Sequence, residues 1–240
     1  TSSGSKPNRD LDGEHLLITV GATREAIDPV RFLSNNSSGR MGFAIAQAAK
    51  LRGARVSIVA GATTVAPPDD VLLTRVSSAE DMYKAVMNEL PAASIFIGAA
   101  AVADYRPAER SPRKIKKTQS SLTLQLERTT DILRSVANAN QPGLLVIGFA
   151  AETENVIANA REKLNSKNLD AIVANDVTQD GVGFDTATNE VTIISHDRKA
   201  PIHVPLMAKD NVADLILDEV VRLRARRQAG YSASDFAKAE

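Results

Sequence analysis

The sequence predicts an α/β fold: a Rossmann-like, doubly wound and mainly parallel sheet with helices on both faces and a protruding β-hairpin or flap. Three observations predict it. Short apolar runs alternate with helix-period segments along most of the 240 residues. Ser94 to Ala100 is a nearly continuous apolar run of the kind carried by strands buried on both faces. Finally, the twenty residues Gly21 to Arg40 separate the first strand from the first helix, where such turns usually take about 2–6 residues. A loop of that length lies where doubly wound sheets bind their ligands, beyond the carboxyl end of a strand.

Taken in order, residues 1 to 13 are rich in Ser, Gly and charge without periodicity, and read as a disordered lead-in or the end of an interdomain linker. The domain is expected over residues 14 to 228. His15 to Val20 is an apolar strand, Gly42 to Leu51 a helix closed by Gly53, and Arg55 to Ala60 the next strand, completing a right-handed βαβ unit. Val71 to Val76 alternates as a strand, and Ser78-x-x-Asp81 can cap a helix running to Leu90. After the strand Ser94 to Ala100 come helix Thr130 to Ala139, strand Leu144 to Phe149, helix Thr153 to Asn165 and strand Ala171 to Asn175. Arg113 to Lys117 and Leu122 to Leu126 read as the flap hairpin, which could leave the sheet as a dimerisation arm. Val191 to Ile194 and Ile202 to Val204 flank His196-Asp197-Arg198-Lys199 as a second hairpin. Ala208 to Arg227 closes the fold as a helix, and residues 229 to 240 are expected to fray.

Composition narrows the function. Hydrophobic residues make up 43% of the chain, enough to bury a sizeable core. With 29 basic and 29 acidic residues the net charge is zero, so neither nucleic acid nor an anionic membrane is an expected partner, and any anion site must be local. There is no cysteine, which excludes disulfides, thiolate metal sites and a cysteine nucleophile. His15, His196 and His203 lack metal-ligand spacing. No apolar run approaches the roughly 18 residues of a membrane span, and no signal-peptide core is present, so a cytoplasmic protein is expected.

Neither G-x-G-x-x-G nor G-x-x-x-x-G-K-[ST] occurs, which disfavours a plain dinucleotide dehydrogenase and a P-loop NTPase. A short-chain oxidoreductase would also need a Tyr-x-x-x-Lys pair, which is missing. The informative residues are then those after each strand. In the first loop, arginines, the hydroxyls of Ser37 and Ser38 and the free N–H groups of the following helix converge where a phosphate or carboxylate could sit. The alanines of Ala99-Ala100-Ala101-Val102-Ala103-Asp104 leave room for a flat ligand read by peptide groups, or for tight helix–sheet packing. Asp104 could meet a phosphate-held metal or a ribose hydroxyl, or cap a turn. Lys114 and Lys116 share one face if Lys114-Ile115-Lys116-Lys117 is a strand, forming either a solvated basic edge or one jaw of a triphosphate clamp.

Thr23-Arg24-Glu25, Asp28-Pro29-Val30-Arg31-Phe32, Ser34-Asn35 with Ser37-Ser38-Gly39, Ala100 to Arg106, Lys114 to Lys117, Gly148-Phe149-Ala150-Ala151-Glu152-Thr153 and Asn175-Asp176-Val177 occur in the order found in bacterial phosphopantothenoylcysteine synthetases, and across residues 15 to 225 the chain resembles that family. Thr129-Thr130-Asp131 stands where the family more usually has Asn-Pro-Asp. The resemblance implies a CTP-dependent ligase that condenses 4′-phosphopantothenate with L-cysteine in coenzyme A biosynthesis, through an acyl-cytidylate, releasing pyrophosphate and then CMP. It also implies a homodimer and, in the full-length protein, a preceding flavin-dependent decarboxylase domain, with no flavin in this chain.

Carried over residue by residue, Asn35, Lys114 and Arg31 are the catalytic candidates. Gly21, Ser37, Ser38 and Gly39, with Ala100, Ala101, Asp104, Lys114, Asp131 and Phe149, are expected around CTP. Arg31, Asn35, Ala101 and Asn175 are expected around the acid or its acyl intermediate, and Mg²⁺ is expected mainly on the phosphates, with Asp104 as its protein ligand.

Overall fold

The computed structural model describes residues 9–116, 121–176, 178 and 186–230. Lys117 of the basic run, Val177, the lead-in to residue 8 and the tail beyond Gly230 lie outside the described residues. Eight strands form the main sheet: β1 His15–Val20, β4 Arg55–Ala60, β5 Leu72–Arg75, β6 Ile95–Gly98, β9 Leu145–Glu152, β10 Ala171–Asp176, β11 Thr188–Ser195 and β12 Ile202–Ala208. Their order is β12-β11-β10-β9-β6-β1-β4-β5. From β5 to β10 every pairing is parallel, and β11 and β12 add an antiparallel hairpin at one edge. The strand order reverses between β1 and β6, which makes their carboxyl ends the switch point where a crevice opens.

Helices cover both faces. α1 (Arg40–Leu51) and α5 (Lys209–Gln228) bury Phe43, Ile45, Val212, Ile216 and Val220 on one side. α2 (Ala79–Glu89), α3 (Ile132–Ala137) and α4 (Val156–Ser166) bury Met82, Val86, Ile132, Val136 and Leu164 on the other. Every residue of β1 is buried, as its central position requires. The predicted capping box is present, with Ser78 and Asp81 exchanging bonds at the start of α2. The carboxylate of buried Glu25 accepts the N–H of Ala79 at the same helix end (2.8 Å). His15 is a strand residue bonded to the Ala92 carbonyl and to Ser57.

Four expectations are corrected. Leu11 and Asp10, read as part of the lead-in, pack on the domain: Leu11 is 1% exposed and its N–H donates to the Arg52 carbonyl, while Asp10 pairs with the Arg52 guanidinium (2.7 Å). The strands expected to end at Phe149 and Asn175 run further, because β9 and β10 continue in parallel register through Glu152↔Asp176. The second hairpin is longer than predicted and joins the main sheet. The flap hairpin is displaced: its strands are β7 (Tyr105–Pro107) and β8 (Leu126–Arg128), and Arg113 to Lys116 and Leu122 to Gln125 are not strand, so Lys114 and Lys116 share no strand face.

The backbone groups of Ile115 are used elsewhere. Its N–H donates to Asp28 Oδ2 (3.2 Å) and its carbonyl accepts from Arg31 Nη2 (2.8 Å). Asp28 also accepts from the N–H groups of Val30 and Arg31 and, through Oδ2, from Nε and Nη2 of Arg31 (2.9 and 2.6 Å). The first loop itself folds as a small hairpin of β2 (Arg24–Ala26) and β3 (Phe32–Ser34), and Asp28 pins the segment around residue 115 to its tip.

Burial would push the Asp28 carboxyl up, but the N–H of Val30, the Arg31 guanidinium and the N–H of Ile115 outweigh it and hold it well below the usual carboxylate range. The contribution of Asp28 is therefore complete above the unfolded-state value of about 3.9 and is lost only as pH falls through the lowered native value. At pH 7, Asp28→Asn should release the Ile115 segment, and trypsin should cut after Arg113 and Lys114 several-fold faster. The difference in melting temperature between the two proteins should shrink below about pH 4. Equal tryptic rates would show that Asp28 does not hold the segment.

Candidate functional site

Three post-strand loops meet at the switch point. The N–H of Ala22 donates to the Ala62 carbonyl (2.9 Å) and the N–H of Ala62 to that of Ala22 (2.8 Å). The N–H of Ala101 donates to the Gly21 carbonyl (2.8 Å), and Thr23 Oγ1 accepts from the N–H of Ala103 (2.9 Å). Gly21 turns the chain with φ 78°, and a Cβ there would meet the Ala62 oxygen at 2.4 Å, so only glycine makes this turn.

Two cavities open above these loops, on either side of a shared wall. One, of about 410 Å³, is lined by Asn35, Ser37, Gly39 and the first turn of α1, by Ala100 and Ala101, and by Phe149, Ala151, Asn175, Asn189 and Lys209. The other, of about 560 Å³, is lined by Arg128 to Arg134, by Lys163 of α4 and by Lys167 at its C-cap. Ala100, Val102, Asp104 and Phe149 line both. The small side chains of the alanine run keep this junction open.

The first lobe ends at the N-terminus of α1. Its N-cap Gly39 (φ 81°) supplies no side-chain cap, and Ser38 Oγ accepts from the N–H of Arg40 at 3.4 Å. The end of a helix in this state favours an anion. The amide of Asn35, on the loop leading to that helix, donates to the Val102 carbonyl (3.1 Å), which holds its side chain at the junction. In the second lobe, Asp131 caps α3 by accepting the N–H of Arg134 (3.0 Å) and pairs with Lys167 (2.9 Å). Burial would push its carboxyl up, but Lys167 and the N–H of Arg134 hold it below the usual range. Lys163 is likewise placed by Glu152 (2.5 Å).

Of the expected site residues, the structure thus brings together Asn35, Ser37, Gly39, Ala100, Ala101, Asp104, Phe149 and Asn175 in one lobe, and Asp131 in the adjoining one. Gly21 and Ser38 are buried behind the wall, and the Ser38 carbonyl accepts from Thr64 N–H (3.1 Å). Arg31 and Lys114 line neither lobe: Arg31 is engaged with Asp28 and the Ile115 carbonyl, and Lys114 is exposed beside it. Sequence reasoning missed Lys163 and Lys167, whose i,i+4 spacing about one turn apart at the end of α4 was a readable signal. It also missed Asn189 and Lys209, which are contiguous with the site only through tertiary packing. Among the described residues no group of three or more His, Cys, Asp or Glu could cage a metal ion.

Comparison with known proteins agrees with this fold. Residues 11–223 match the family model of the DNA/pantothenate metabolism flavoprotein C-terminal domain. The chain is 45% identical over 214 residues to the coenzyme A biosynthesis bifunctional protein CoaBC of Bacillus subtilis, a match covering 89% of this chain and 52% of that one. It is also 45% identical over 218 residues to the protein of the same name from Escherichia coli K12, covering 90% and 53%. The chain thus spans about half the length of the curated relatives it matches. A crystal structure of the C-terminal domain of CoaBC superposes with a TM-score of 0.77 at 41% identity, covering 90% of this chain and 98% of that one. A Cab2 mutant in complex with phosphopantothenate-cysteine shares the fold (TM-score 0.75, 18% identity, 92% of this chain and 89% of that one). The chain belongs to the DNA/pantothenate metabolism flavoprotein C-terminal domain family, in agreement with its resemblance to bacterial phosphopantothenoylcysteine synthetases.

Proposed function

We propose that this domain is a phosphopantothenate–cysteine ligase that activates the acid with CTP. The observation that carries the reading is the pair of lobes meeting at Val102, Asp104 and Phe149, with Asn35 bonded to the Val102 carbonyl, one lobe ending at an open helix N-terminus and the other walled by two lysines. A carboxylate is a poor electrophile, so the acid needs a nucleotide to give it a leaving group. The acid occupies the lobe of Asn35, with its phosphate at the α1 N-terminus, and CTP occupies the lobe of Lys163 and Lys167. This division moves Ser37 and Gly39 from the nucleotide to the phosphate of the acid.

A carboxylate oxygen of the acid attacks the α-phosphorus, and the bond to pyrophosphate breaks. The cysteine amine then attacks the acyl carbon, and CMP leaves with that carboxylate oxygen. Lys163 and Lys167 neutralise charge on the phosphates. Asn35 has one amide N–H beyond the bond to Val102 and directs it at the acyl oxygen, where charge develops in the second step. Mg²⁺, when bound, would neutralise charge on the triphosphate. A single carboxylate at the junction, Asp104, suits an ion that keeps several waters and binds mainly through phosphates. CTP rather than ATP is supported by the family resemblance, as are a cytoplasmic location and a preceding flavin-dependent decarboxylase domain. No helix among the described residues is long and apolar enough to cross a membrane.

Mixing the protein with CTP, Mg²⁺ and 4′-phosphopantothenate should release pyrophosphate, and adding cysteine should release CMP. Asn35→Asp keeps size and removes the donor, so it should still release pyrophosphate but condense with cysteine on the order of a hundredfold more slowly. Wild-type condensation by that variant would remove Asn35 from the second step.

Lys114 extends the reading to a homodimer. It is exposed outside the lobes of its own chain, next to Ile115, which is bonded to the tip of the first small hairpin, and Val30, Phe32, Tyr105 and Leu126 are exposed on the two hairpins. Such a surface suits a second copy, over whose site Lys114 would lie. Light scattering should show a dimer at micromolar concentration, and Lys114→Gln should abolish most turnover while Lys116→Gln is nearly silent. Mixed with Asn35→Asp under exchange conditions, Lys114→Gln should regain activity, since one of the two sites then carries neither defect. Failure to complement would place Lys114 at the site of its own chain.

A further inference from the structure

β11 alternates, with Asn189, Val191 and Ile193 buried on one face. Val191 and Ile193 lie in the core beneath α5, whereas Asn189 puts an amide where the pattern calls for an apolar side chain. It is 5% exposed. Its Nδ2 points at the sulfur of Met41 (3.9 Å), a weak acceptor. That leaves Oδ1, which among the described residues is the fully buried side-chain polar atom without a partner. Buried polar groups are almost always paired, so an orphan on the wall of a cavity marks a place for a ligand donor.

The backbone supports the same conclusion. Asn189 pairs with Met207, but Val191 pairs with Val204, so β12 carries one extra residue at Pro205-Leu206. The bulge falls beside Asn189, and bulges commonly re-aim side chains at sites. The side chain lines the acid lobe together with Met41 and Gly42 of the first turn of α1, and with buried Lys209.

We propose that Asn189 is a specificity determinant that accepts a hydrogen bond from the hydroxyl of the pantoyl group; this rests on the ligase reading. An amide oxygen only accepts, so neither the phosphate nor the carboxylate of the acid satisfies it. With the phosphate at the start of α1, the first donor along the acid is the hydroxyl beyond the dimethyl carbon. Asn189, held against the second residue of α1, lies at that end of the lobe.

The test compares 4′-phosphopantothenate with its analogue lacking that hydroxyl, measuring binding by calorimetry and pyrophosphate release with CTP. Wild-type protein should lose roughly 10- to 100-fold in kcat/KM with the deoxy acid, because Oδ1 then stays unpaired. Asn189→Leu should lose a similar factor with the natural acid and show no further loss with the deoxy acid. Equal use of both acids by wild-type protein overturns the proposal whatever the variant does, and leaves the ligase reading intact. A protein that neither binds nor activates the natural acid overturns both.

Discussion

The site depends on a backbone stitch at the switch point. Gly21 and Ala22 pass between the loops following β4 and β6 and bond to both, and Thr23 Oγ1 adds a bond to the N–H of Ala103. Each such bond contributes only about 0.5–1.5 kcal/mol net, but a buried backbone group left unpaired costs about 1–3 kcal/mol, so the three loops keep one arrangement or lose several bonds together. That arrangement places Ala100, Val102 and Asp104 in the shared wall of the two lobes. It also leaves Asn35 within reach of the Val102 carbonyl.

A second layer of contacts orients groups that touch substrate in the proposed reaction. Glu152 and Asp131 position Lys163 and Lys167, and Asp28 anchors the segment that presents Lys114. Arg31 belongs to this layer as the structure stands, since its guanidinium spans Asp28 and the Ile115 carbonyl. Lysines paired with carboxylates are held in place before a triphosphate arrives, which lowers the cost of ordering long side chains on binding.

Much of this was legible from the residues. Period and apolarity located the parallel strands and their helices, because each strand buries both faces and each helix buries one. The capping box at Ser78 and Asp81 was readable because it is local. The excess length of the first loop is taken up by the β2–β3 hairpin and by the Asn35 to Gly39 stretch along the first cavity. What could not be read was decided by distant partners. Ile115 looks like a strand residue, but Asp28 and Arg31 use its backbone groups, so the flap ladder forms at Tyr105–Pro107 and Leu126–Arg128 instead. Ala150-Ala151-Glu152 lacks a strand pattern of its own and is strand because Ala174 to Asp176 lie alongside. Asn189, far along the chain from any motif, enters the site only because β11 joins the main sheet at β10.

The central claim is that the acid is activated as an acyl-cytidylate at the junction of the lobes, and the fate of its carboxylate oxygen tests this most directly. With 4′-phosphopantothenate carrying ¹⁸O in the carboxylate, attack on the α-phosphorus followed by amine attack on the acyl carbon transfers one labelled oxygen to the nucleotide. Mass spectrometry after a complete reaction with CTP and cysteine should therefore find ¹⁸O in CMP and none in pyrophosphate. Unlabelled CMP, with the departing labelled oxygen found in orthophosphate, pyrophosphate or water, would contradict the account.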